Sequence, residues 1–166
     1  MIKSKLATAE DFNDYLILKT DENNVFWTGH TSPPNKEKLF NWYLENIKKE
    51  NRLFFLFYDK EFLLEPIGYL YMDIIGELLD TIDTGHGVNS KCGGKGYGTK
   101  IIEYALNYAK VNLHQIKYLQ GWIANDNIGS IKNFLKNGYY KTDETKIVKF
   151  GDGSDKLFEK YMIDIR

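Results

Sequence analysis

The chain has 166 residues, with 22 Lys and Arg against 23 Asp and Glu and a formal net charge of −1. That length supplies one domain whose core needs no covalent staples, and near-neutrality gives no global electrostatic reason to wrap nucleic acid or coat an anionic membrane. The single cysteine, Cys92, excludes an intramolecular disulfide and a multi-cysteine zinc cluster, while no stretch approaches the ~20 apolar residues of a membrane span and the N-terminus does not read as a cleavable leader. A cytoplasmic protein without nucleic-acid or membrane partners, and without a metal, is expected.

In chain order, Ile2 to Leu6 reads as a strand. Thr8-Ala9-Glu10-Asp11 then places a hydroxyl cap ahead of two acids, and Phe12, Tyr15, Leu16 and Leu18 follow, which predicts a first helix. Pro33-Pro34-Asn35 precedes a second helix in which Leu39, Trp42, Tyr43 and Ile47 recur at helical spacing, and Phe26-Trp27-Thr28-Gly29-His30 joins the two. Leu53 to Tyr58 is a continuous aromatic and aliphatic run, hence a buried strand, followed by strands at Ile67 to Ile75 and about Leu78 to Val88, turned at Gly76-Glu77. From Gly96 the period changes to 3.6, with Ile101, Ile102, Ala105, Leu106 and Ala109 on one face and Lys100, Glu103, Asn107 and Lys110 on the other.

Ile116 to Ala124 is the next strand, and Asn127 to Asn137 a helix with Ile128, Ile131 and Leu135 inward and Gly138 as its stop. Strands at about Tyr139 to Phe150 and Lys156 to Ile165 flank the hairpin-type connection Gly151-Asp152-Gly153-Ser154. The order β, α, α, β, β, β, α, β, α, β, β, with a meander and a terminal hairpin, predicts a mixed α/β (α+β) sheet. With no repeat or Pro/Ser-rich linker, residues 1–166 read as one domain.

Six of the 14 glycines fall between Gly85 and Gly98, where a strand runs into the strongest helix. No acid occurs between Asp83 and Glu103, whereas Lys91, Lys95 and Lys100 all do. Glycines at a helix start let consecutive backbone N–H groups approach an anion at the positive end of the helix dipole. Gly98-Thr99-Lys100 has the wrong order for a Walker A loop, and no G-x-G-x-x-G begins at Gly85, Gly94 or Gly96, so nucleoside triphosphate and dinucleotide readings weaken.

Gly93-Gly94-Lys95-Gly96-Tyr97-Gly98-Thr99 resembles the acetyl-CoA pyrophosphate loop of the GCN5-related N-acetyltransferases, Gln/Arg-x-x-Gly-x-Gly/Ala, with Gly96 and Gly98 as its two glycines and Gly93 where Gln or Arg is usual. Asn127-Ile128-Gly129-Ser130, then Phe134 and Gly138-Tyr139, is similar to the family's second signature, and the order of elements agrees over nearly the whole chain. The resemblance implies acetyl-CoA as co-substrate, a mostly antiparallel sheet, and a parallel strand pair splaying open around the pantetheine arm. That arm would lie against Gly87 and Val88, with Asn127 as its polar contact or as a helix cap. Ser130 and Phe134 would complete the cofactor site.

It implies direct acetyl transfer to a primary amine, of a small molecule or a protein N-terminus, by a monomer or homodimer. A non-catalytic acyl-CoA-binding sensor is the alternative, because the family's acid, a Tyr on the helix after the Asn, is here Phe134; Tyr139, Tyr140, Ser130 or water is left to protonate the thiolate. For the base, His86 titrates near neutrality when unperturbed, and Asp83 competes with Asp73, Glu77 and Asp80. Cys92 in the loop is a poor nucleophile candidate, remote from the thioester and lacking a partner base. Trp27 and His30 are candidate acceptor contacts, with Phe26 read as packing; His114 is incidental.

Overall fold

The structure, a computed structural model, describes residues 1–62 and 65–166. One seven-stranded sheet runs in the order β1-β2-β3-β4-β5-β7-β6. Its strands are β1 (Ile2–Leu6), β2 (Arg52–Asp59), β3 (Gly68–Ile75), β4 (Thr81–Val88), β5 (Tyr118–Ala124), β6 (Tyr140–Lys149) and β7 (Asp155–Asp164). Every neighbouring pair is antiparallel except β4 and β5, which are parallel. Among the described residues, no helix is long and apolar enough to cross a membrane.

Strand alternation assigns the two faces of the sheet to two sets of helices. On one face, Phe55, Phe57, Leu70, Met72, Ile82 and Leu119 pack under α4 (Tyr97–Asn112), whose Ile101, Ile102, Ala105, Leu106 and Ala109 are all buried as the 3.6 period requires. Each fully buried Ile or Leu contributes roughly 1.5–3 kcal/mol over its exposed state. On the other face, Phe54, Leu56 and Tyr69 meet Tyr15 and Leu18 of α1 (Phe12–Lys19) and Leu39 and Tyr43 of α3 (Lys36–Asn46). Asn35 starts α3 by accepting from the Lys38 N–H at 3.0 Å.

Three local expectations change. Thr8 opens a short 3₁₀ turn, Ala9–Asp11, and α1 follows it; the Asp11 carboxylate accepts from both the Thr8 N–H and hydroxyl at 2.9 Å. An extra helix, α2 (Glu22–Trp27), occupies what reads in sequence as a connection. Its signal is Asp21, whose Oδ1 accepts from the Asn23 and Asn24 N–H groups. In α5 (Ile128–Lys136) the inward residue is Phe134, while Ile128 and Leu135 are 57% and 52% exposed. This helix rests on the sheet by a narrow contact of Phe134 with Ile131 beside it, so Ile128 and Leu135 are left facing water.

Candidate active site

β4 and β5 hold together over only four rungs, from Thr81 opposite Tyr118 to Thr84 opposite Gly121. Beyond them β4 continues on β3 and β5 on β7, so a seam opens between two strands that each remain paired on the far side. Asn89 donates its N–H to Ile67 O at 2.9 Å. In an antiparallel ladder the alternation that follows turns the backbone groups of His86 and Val88 away from β3 and into the seam. Phe134 closes the floor: a Cβ on Gly121 would lie 2.6 Å from its ring, so only glycine admits the ring between the strands.

Asn127, Ser130 and His86 line the seam together with Trp27, and Gly87, Val88 and Gly93 line its outer end. The Asn127 side chain caps α5 by accepting from the Ser130 N–H at 3.3 Å, and the same residue lines the seam.

At the outer end, Gly94 and Gly96 adopt left-handed φ of 75° and 78°, and an added Cβ on either meets nothing within 4 Å. Gly96 provides no side-chain cap for α4. The N–H groups of its first turn, at Tyr97, Gly98 and Thr99, have no intrahelical acceptor by the geometry of any helix start. This is an open cradle of donors at the positive end of a 16-residue helix dipole. The side chains beside it have other tasks. Tyr97 is buried and donates to Asp59 at 3.0 Å, burial and that carboxylate pushing its hydroxyl up to about 12. Thr99 donates to Asn133 Oδ1 at 3.0 Å, and a Cβ on Gly98 would lie 2.2 Å from Asn133 Nδ2. Asn133 thus fixes α5 against α4, a role that becomes visible only once the two helices are placed.

The acid-free stretch is acid-free in sequence alone. Lys91 pairs with Glu65 at 2.7 Å, and Lys95 lies 3.5 Å from Glu61 and over the Phe62 ring. Lys91 is mostly and Lys95 about half in solvent, where such pairs contribute little, so either is free to exchange its carboxylate for a phosphate. Cys92 is buried in the core below, and burial raises its thiol pKa, which makes it inert.

His86 lies on the α4–α5 face of the sheet, its ring 5.9 Å from that of Phe134. Burial pushes its pKa down to about 4, so the imidazole is neutral across the physiological range. Asp83 occupies the opposite face, beside Gln120, whose amide donates to it at 3.2 Å, and it does not line the seam. Burial raises its pKa. Asp73 is bound by Arg52 at 2.6 and 2.7 Å, and Asp80 lies 3.8 Å from Lys117. Tyr139 sits behind Phe134, ring centroids 4.7 Å apart, with its buried hydroxyl unpartnered among the described residues. Tyr140 is exposed and donates to Asp164 at 3.0 Å. Of the hydroxyls considered for the acid, Ser130 alone lines the seam.

On the α1–α3 side, the cleft of about 250 Å³ is walled by Lys19, Trp27, Tyr69, Tyr71 and Trp122. Trp27 stands at the mouth, and Phe26, read as packing, is 45% exposed with its ring edge against Trp27 and Phe150. His30 is exposed and lines a neighbouring cavity instead. Two residues tie this side to the glycine loop. Asp21 Oδ2 accepts from the Ser90 N–H at 2.9 Å and the Ser90 hydroxyl at 2.6 Å, and Asn24 donates to Leu18 O and Val88 O at 2.8 and 3.2 Å.

Residues 15–139 match the acetyltransferase (GNAT) family. The chain belongs to the GNAT acetyltransferase family. Members of it act on amines with acetyl-CoA as co-substrate, and this chain is an N-acetyltransferase on that ground. The fold agrees with solved GNAT structures. Spermidine N-acetyltransferase from Vibrio cholerae in complex with CoA and spermine superposes with TM-score 0.83 at 15% identity, over 98% of this chain and 95% of that one. An N-acetyltransferase from Staphylococcus aureus Mu50 gives 0.77 at 18%, over 100% and 99%. The acetyltransferase AAC(6′)-Ib in complex with ribostamycin and coenzyme A gives 0.74 at 19%, over 96% and 92%. No curated protein matches the sequence.

Proposed function

We propose that this GNAT protein moves an acetyl group directly from acetyl-CoA to a primary amine, of a small molecule or a protein N-terminus, within one domain spanning residues 1–166 and in the cytoplasm. The observation that carries the reading is the continuity of the open seam, from the uncapped start of α4 to the aromatic cleft on the other face of the sheet. Its residues fit the co-substrate. The donor cradle at Gly93, Gly94, Lys95, Gly96, Tyr97, Gly98 and Thr99 receives the pyrophosphate through backbone N–H groups. The backbone groups of His86 and the N–H of Val88, which face the seam on either side of Gly87, take the amide-bearing arm as an added strand would. Asn127 and Ser130 face that arm from α5, and Phe134 floors the seam beneath it.

Acetyl-CoA supplies the activated acyl group: the amine nitrogen gains the carbon, the C–S bond breaks, and coenzyme A departs as a thiolate. No carboxylate lines the cleft among the described residues, and the His86 imidazole is too weak a base to take a proton from an ordinary ammonium. The amine therefore sheds its proton to water before or during attack, with His86 accepting a hydrogen bond at the seam. A thiol titrating near 8.5 leaves without a strong acid, and Ser130 or water delivers its proton.

Thermal stability with and without acetyl-CoA, together with coenzyme A release from an amine panel, tests the reading. At 100 times its dissociation constant, acetyl-CoA should add about 2.7 kcal/mol of stability, and at least one amine should release coenzyme A. Tight binding with no turnover on any amine would instead make the protein a sensor.

A further inference from the structure

Among the described residues, Lys19 is the one charged side chain in the wall of the seam cleft. It also lines the adjoining cavity of about 310 Å³, toward α1 and α3, which it shares with the cleft along with Thr28 and Tyr71. The ammonium lies 5.5 Å from the Tyr69 ring centroid and makes no ion pair among the described residues. Burial, with no nearby charge to offset it, lowers its pKa to about 8. Among the described residues, neither cavity has an Asp or Glu in its lining. A cation held out of water without a partner is costly to the free protein, and an anion arriving with a ligand offsets that cost.

The same lining disfavours a cationic acceptor held on aromatic faces. Arg52 already lies 5.6 Å from the Trp42 ring centroid and 4.7 Å from that of Tyr71. Lys146 and Lys160 lie 4.4 and 5.9 Å from the centroid of Trp122. The Trp42, Tyr69, Tyr71 and Trp122 rings thus each already have a cation within about 6 Å, which repels a second ammonium. What remains for an acceptor is an apolar cavity, one unpaired ammonium at its junction with the seam, and the open seam itself.

We infer that the acceptor is a free α-amino acid with an apolar side chain, whose carboxylate pairs with Lys19 while its amine points into the seam and its side chain fills the cavity lined by Tyr15, Leu39 and Trp42. This rests on the acetyltransferase reading above and narrows its acceptor. The amine nitrogen gains the acetyl carbon, its surplus proton passes to water, and the sulfur keeps the electron pair of the broken C–S bond; the carboxylate takes no part in the bond changes.

The test measures coenzyme A release for the free L-amino acids, their α-amides and spermidine, with acetyl-CoA affinity measured in parallel. An amide keeps the side chain and the amine but removes the negative charge, and its amine is the less basic, so an acid preference cannot come from amine ionisation. The expected result is that the best amino acid exceeds its amide at least tenfold in kcat/KM. Lys19→Gln should bring that ratio near one and Lys19→Arg preserve it, both keeping acetyl-CoA affinity within about twofold. Faster acetylation of amides or spermidine overturns this acceptor class and leaves acetyl transfer standing, as does a ratio that Lys19→Gln does not move. Acetyl-CoA binding without turnover on any of these amines overturns both. The wild-type ratio decides the acceptor class even if a Lys19 variant fails to fold.

Discussion

The two ends of the seam are built on different principles. At the start of α4 the binding surface is main chain: two left-handed glycines, an uncapped helix turn and an unpaired strand edge, with the neighbouring side chains of Tyr97 and Thr99 engaged elsewhere. At the α1–α3 end it is side chain: Lys19, Trp27, Tyr69, Tyr71 and Trp122, drawn from α1, α2, β3 and β5. A main-chain site tolerates much change in its side chains but none in its backbone path. A side-chain site has the opposite tolerance, which is how one fold keeps a common co-substrate and varies its acceptor.

The largest break in that comparison comes from Gly96. Gly96→Val has room for its side chain but forces a branched residue to φ 78°, so the cradle must rearrange. Acetyl-CoA affinity measured by calorimetry should fall at least about 100-fold, whereas the melting temperature of the free protein should shift by only a few degrees.

His86 probes the middle of the seam. Its pKa is near 6.5 in the unfolded chain and about 4 in the folded protein. The unfolded state therefore binds the extra proton between those values, and stability falls with acidification through that window. Denaturant titrations should show about 2 kcal/mol lost from this group between pH 7.5 and pH 5, and His86→Asn should lack that component. An NMR titration of wild type near 6.5 would mean that the seam is wet.

The smallest effect sharpens the distinction on the main-chain side. Gly98→Ala pushes a methyl against the end of Asn133, a side chain able to move, so about 1 kcal/mol of stability should be lost. Asn133→Ser in the same chain should restore most of it, read by thermal unfolding as a double-mutant cycle.

This division also decides what could be read from the amino-acid order. Backbone geometry leaves a local trace: the glycines at 94, 96 and 98 and the change of period at Gly96 announce the cradle, and the succession of strands and helices along the chain follows from periodicity. The acceptor side leaves none, because Lys19, Tyr71 and Trp122 are brought together only by the pairing of β3, β4 and β5 and the docking of α1. Asp21 did carry a signal, an Asp ahead of a short polar run, but a six-residue helix has too little periodicity to stand out. The inward face of α5 differs from its periodicity for a related reason. Ile128, Ile131 and Leu135 satisfy a helical stripe, yet the space above Gly121 selects Phe134 as the anchoring side chain, and of the three only Ile131 packs inward with it. The lysines near Gly94 mislead in the opposite direction, since Glu61 and Glu65 reach them from a loop some 30 residues away in sequence.

Asp21 joins what these differences separate. One of its oxygens starts α2 and the other holds the backbone and hydroxyl of Ser90, while Asn24, one turn into the same helix, is bonded to the last carbonyl of β4. Amides 66 or more residues apart in sequence therefore share one carboxylate as their shelter from solvent exchange. The unit that breathes here is neither a helix nor a loop but the pair, and a fluctuation that bares the Asn24 amide bares that of Ser90 with it.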